Sequence, residues 1–192
     1  RWVDHGTLLH DTCERVVGAG RCLSRPTYTV AVIAEGFAES DLGAFRNYVK
    51  DEVVEGLMDR DLFKELSEAF TVIRIDLVSI DSGVSERQHD EKGTPNDPSD
   101  DVISSFTDRD SRLDYVYTGS WAHCWIEPRD GSVTEARTLR VLRRFAPAAD
   151  IVMVVVNHSG DGGCWRGGLR TLTVTLGVGW ATIAHEFGHG IA

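Results

Sequence analysis

Asp150-Ile151-Val152-Met153-Val154-Val155-Val156 places six apolar side chains in succession behind one aspartate, and four of the six are valine. A strand with one wet face alternates apolar and polar residues, so an unbroken β-branched run reads as a strand buried on both faces. Tyr28-Thr29-Val30-Ala31-Val32-Ile33-Ala34 has the same character and breaks at Gly36. Leu42, Phe45, Tyr48, Val49 and Val53 then recur at helical spacing among charged residues, which predicts an amphipathic helix from Ser40 to about Asp59. A shorter helix is expected over Leu62 to Phe70. Thr71 to Ser79 alternates through Arg74 and Asp76 and completes a β-α-β unit, whose crossover should be right-handed.

Further along, Val133 to Phe145 has helical periodicity, with Val133, Ala136, Leu139, Val141 and Leu142 set among arginines. Thr171 to Thr175 alternates as a short strand, and Gly177 and Gly179 precede a final helix starting near Trp180. The region 81–112 is dense in Ser, Asp, Gly and Pro and reads as an excursion over the surface. The whole is an α/β fold: a twisted, mostly parallel sheet with helices packed on it, an antiparallel edge strand and a C-terminal active-site helix. Residues 1–192 are read as one domain.

The net charge of -10 argues against nucleic acid and anionic membranes, which are bound by clustered Lys and Arg. No apolar run approaches the roughly 20 residues of a membrane-spanning helix. The four cysteines, Cys13, Cys22, Cys124 and Cys164, lack CxxC spacing and suit two disulfides, Cys13 with Cys22 and Cys124 with Cys164. Four buried thiols are the alternative.

The chemistry is concentrated in His185-Glu186-Phe187-Gly188-His189. Residues four apart on a helix share a face, so His185 and His189 can present two imidazoles to one zinc ion. Glu186 lies close by but off the ligand axis, where a carboxylate can act as general base toward zinc-activated water. Trp180, Ala181, Ile183, Ala184 and Phe187 leave few polar atoms on this helix, which is read as buried. The competing interpretation is a core helix with two accidentally spaced histidines. Zinc peptidases bind extended substrates along an edge strand beside the active-site helix, and Thr171 to Thr175 is the candidate. The third zinc ligand is expected beyond Ala192; His5, His10, His89, His123 and His158 read more simply as surface or loop histidines.

Ala34 to Asp41, Asp150 to Asn157 and Ala181 to His189 together resemble the bacterial IgA peptidase family of zinc metallopeptidases. That resemblance implies a metzincin-like catalytic domain truncated just after the zinc-binding helix, with His185 and His189 as Zn2+ ligands and Glu186 as general base. It also implies secretion and a protein or peptide substrate cleaved at internal bonds. The alternative is a non-catalytic metal-binding or protein-interaction domain derived from such a peptidase. Trp121 to Trp125, and Cys164 with Trp165, match no family motif.

Three further signals carry weaker expectations. The glycine-rich segment Ser159 to Gly168 lacks a phosphate-loop ending and is read as a flexible loop whose Arg166 borders the substrate cleft. Asp90, Glu91, Asn96, Asp97, Asp100 and Asp101 could hold calcium, although their spacing is not that of an EF-hand and a solvated acidic loop is the simpler reading. Trp121 and Trp125 could form an aromatic ligand surface or pack around a disulfide.

Overall fold

The computed structural model describes residues 4–8, 28–66, 69–90, 92, 99–120, 122, 124–168 and 170–191. Among these described residues ten strands form two sheets, with four α-helices against them. The larger sheet is built on β2 (Tyr28–Glu35), β3 (Phe70–Leu77), β8 (Ile151–Val156) and β10 (Thr171–Thr175), in the spatial order β3-β2-β8-β10 and all parallel. β1 (Asp4–Leu8) lies antiparallel on β3, and β9 (Gly163–Arg166) antiparallel on β10. Every residue of β8 is buried, as its unbroken apolar run requires.

The predicted β-α-β unit is present. After a 3-10 turn at Glu39–Asp41, α1 (Leu42–Tyr48) continues as a π-helical segment, Val49–Met58. Leu42, Phe45, Tyr48, Val49 and Val53 all enter the core, so the periodicity was a sound guide to the buried face. The short helix α2 (Asp61–Glu65) ends earlier than its expected limit. Phe70 instead opens β3, because the Phe-Thr-Val-Ile run pairs directly with β2.

In α3 (Gly131–Phe145) the buried positions are Thr134, Thr138 and Val141, while Val133 is exposed. Threonine can face inward here because each hydroxyl has a carbonyl to donate to: Thr138 to Thr134 at 2.8 Å and Thr134 to Asp114 at 3.1 Å.

The surface excursion contains two strands that the sequence reading did not separate. β4 (Ser85–Asp90) and β5 (Val102–Thr107) pair antiparallel, and β6 (Tyr115–Tyr117) and β7 (Ile126–Pro128) complete a second sheet in the order β5-β4-β6-β7. β5 is exposed at every position, so this hairpin is held by backbone pairing, which leaves no apolar alternation in Ser-Glu-Arg-Gln-His-Asp.

A buried carboxylate ties the two sheets together. Glu35, at the end of β2, accepts hydrogen bonds from the Ser111 hydroxyl (2.7 Å), the Leu113 N–H (2.7 Å) and the Tyr115 N–H (3.1 Å). Gly36 follows at φ +74°, and a Cβ there would stand 2.6 Å from the Gly83 carbonyl oxygen. Only glycine fits both that conformation and that approach.

Candidate active site

α4 (Trp180–Ile191) follows β10 through a turn at residues 176–179. Two contacts from the first helical segment fix its start. The Tyr48 hydroxyl donates to the Val178 carbonyl at 2.9 Å, and the Glu52 carboxylate accepts the Trp180 N–H at 2.8 Å. A carboxylate at that end satisfies a free N–H and complements the helix dipole.

α4 is half buried. Ile183 and Phe187 are fully covered, with Phe187 packed edge-on to Phe63 and Phe70. The opposite face is open: His185 and His189 are exposed and Glu186 is partly buried. The expectation of a buried helix therefore holds for one face only, since Trp180, Ala181, His185 and His189 are exposed.

His185 and His189 approach through their Nε2 atoms at 3.3 Å, with their rings perpendicular. Two zinc–nitrogen bonds of about 2.0–2.1 Å at a tetrahedral angle place their nitrogens about 3.3 Å apart, so this pair fits two corners of a zinc site. Among the described residues no third His, Cys, Asp or Glu joins them in a cluster able to hold a metal.

The described histidines nearest to candidacy are engaged elsewhere. His158 stacks on Tyr117 with ring centroids 3.6 Å apart, and its Nδ1 accepts the Gly160 N–H. His89 lies on β4 in the second sheet. His10 and His123, and the side chain of His5, lie outside the described residues.

Glu186 faces β9. A Cβ on Gly163 would stand 3.0 Å from Glu186 Cγ and 3.1 Å from its Oε1. Burial pushes the Glu186 carboxyl above its ordinary range, and the adjacent His185 and His189 and the Trp165 backbone N–H pull partly against that. A raised carboxyl pKa is the usual state of a carboxylate that exchanges protons near neutrality. The Trp165 indole packs over Gly190, where a Cβ would come within 2.5 Å of the ring.

Together α4, β9 and the 177–179 turn border an open cleft of about 670 Å³ with His185, Glu186 and His189 in its wall. The disulfide Cys124–Cys164 forms part of the same wall, as the second expected pairing required; Cys13 and Cys22 lie outside the described residues.

Two sequence expectations about this cleft are corrected. Thr171–Thr175 is not an edge strand, since it sits between β8 and β9. The edge is β9, which lay hidden in the glycine-rich segment because only four residues, Gly-Cys-Trp-Arg, pair. Arg166 does not border the cleft either. Side chains alternate along a strand, so with Gly163 and Trp165 facing α4, Arg166 lies on the other face and donates to the Ile126 carbonyl.

Trp125 both lines the cavity and adjoins the disulfide, which unites its two readings, whereas Trp121 lies outside the described residues. In the acidic loop Asp90 pairs with Lys92 at 2.6 Å; Glu91, Asn96 and Asp97 lie outside the described residues.

Residues 23–192 match the profile of the IgA peptidase M64 family, which places the chain among peptidases. The chain belongs to that family, a metallopeptidase family. No curated protein matches the chain. No helix among the described residues is long and apolar enough to cross a membrane.

Proposed function

We propose that this protein is a zinc metalloendopeptidase. The observation that carries the reading is the 3.3 Å approach of the His185 and His189 Nε2 atoms, beside a partly buried glutamate at the wall of a cleft. His185 and His189 would hold the ion, with a third ligand from outside the described residues. When bound, zinc would acidify a water molecule and polarise the scissile carbonyl. Glu186 takes the proton from the attacking water and returns it to the leaving amine.

The free edge of β9 is the place for an extended peptide, since among the described residues β9 pairs with β10 alone. Backbone pairing there would lay the substrate along Gly163 and Trp165, across from Glu186. The substrate is accordingly a protein or peptide cut at internal bonds. The Cys124–Cys164 bridge supports residence in an oxidising, extracellular compartment.

The test is Glu186→Ala in the full-length, zinc-loaded protein. Peptide hydrolysis should fall by about 10²–10⁴-fold, the range for loss of a general base, while elemental analysis finds the same zinc content. Near wild-type turnover would refute the mechanism. Bound zinc without hydrolysis in the wild-type protein would leave the non-catalytic metal-binding reading.

A further inference from the structure

The cavity beside α4 carries one carboxylate, Asp161, that hydrolysis itself does not require. Among the described residues that line it there is neither Lys nor Arg, and its acidic members are Asp161 and Glu186. Asp161 is exposed, and its carboxylate forms no ion pair among the described residues. Its backbone is held firmly: the Tyr117 hydroxyl donates to the Asp161 carbonyl at 3.0 Å, and the Thr175 N–H to the Gly162 carbonyl at 3.1 Å. Trp125 adjoins this segment, so that a Cβ on Gly162 would meet the Trp125 Cβ at 2.8 Å. Trp165 also lines the cleft, over Gly190.

An exposed carboxylate and an indole in the wall of a cleft lined by neither Lys nor Arg supply the recognition chemistry of a cationic side chain. We propose that the cleft selects peptides carrying a lysine or arginine, its stem laid against Trp125 and its charge facing Asp161. The proposal rests on the reading of this cavity as the substrate cleft. Asp161 precedes Gly163, the residue in contact with Glu186, by two positions. Two residues of chain span at most about 7 Å, so the basic side chain belongs one or two residues from the scissile bond.

The experiment uses the full-length, zinc-loaded protein and internally quenched peptides in which each position near the cleavage site is Lys, Arg, Gln, norleucine or Glu in turn. One position should favour Lys or Arg over Gln and norleucine by about fivefold in kcat/KM, the size of one exposed charge pair backed by an aromatic face. Asp161→Asn should bring that ratio close to one, and Asp161→Lys should turn it toward Glu. A flat profile, or a bias that Asp161→Asn leaves intact, overturns the proposal.

Calorimetric binding to the Glu186→Ala protein separates this inference from the catalytic one. Tighter binding of a Lys peptide than of its Gln twin, with no hydrolysis by the wild-type protein, would uphold the charge selection and refute the peptidase mechanism. Cleavage without charge preference would do the reverse.

Discussion

Gly163 and Glu186 are in contact across the cleft, the α-carbon of one lying so near the carboxylate of the other that a methyl group at 163 would stand 3.0 Å from Glu186 Cγ. The edge strand and the active-site helix therefore share one surface, and the position of the proposed base depends on the absence of a side chain on β9.

Gly163→Ala should consequently displace Glu186 while leaving His185 and His189 in place. The added methyl meets Thr182 Cγ2 at 2.9 Å and Glu186 Cγ at 3.0 Å, so the shift is a few tenths of an ångström, short of the roughly 1 Å that costs about 10²-fold, and kcat/KM should fall by less than that factor with zinc content unchanged. Unaltered kcat/KM would show that the carboxylate is positioned by something other than β9. Gly167, with open space around its Cβ position, is the control, and Gly167→Ala should leave turnover at the wild-type level.

The Cys124–Cys164 bridge spans 40 residues and fastens the loop before β7 to the middle residues of β9. Closing a loop of that size restricts the unfolded chain by about 4 kcal/mol in the chain-entropy account, and typical measured effects are about 2–4 kcal/mol. The double variant Cys124→Ser, Cys164→Ser should lose stability in that range on urea unfolding. Its KM should rise more than its kcat falls, because β9 loses its tether while the residues of α4 stay where they are. A kcat loss at constant KM would argue that the bridge acts on the chemistry instead.

Glu35 contributes a pH dependence of opposite sense to that of a salt-bridged carboxylate. Burial raises its pKa above the ordinary 4.5, against the opposing hydrogen bonds from Leu113, Ser111 and Tyr115. Between the unfolded and folded pKa values the folded state binds more protons than the unfolded chain. Stability from this group is full below about pH 4.5 and declines as pH rises toward the folded value. Glu35→Gln should remove that slope, and it should cost about 1–3 kcal/mol because its amide would oppose a buried N–H donor. Chemical denaturation at several pH values reads both effects. An unchanged pH slope in the variant would mean that Glu35 does not titrate in this range.

What the chain alone determined was local in character. β8 was legible because six apolar residues in a row can be buried only on both faces. The buried face of the first helix was legible because helical periodicity is a property of neighbouring residues. The shared face of His185 and His189, the proposed ligands, was legible because four-residue spacing sets one face of α4 without reference to any other element. The α/β class and the family followed from these elements.

Tertiary structure decided whatever depends on a partner distant in sequence. β9 could not be recognised in Gly-Cys-Trp-Arg, because a four-residue edge strand is defined by its pairing with β10 and not by its composition. The same holds for β4 and β5, whose side chains carry no apolar alternation. Glu35 was present in the sequence, but its role requires three donors from residues 111–115, brought to it by the fold. Asp161 and Trp125 come together only when the chain closes the cleft around α4, since a cavity wall is assembled from segments whose separation along the chain says nothing of their separation in space.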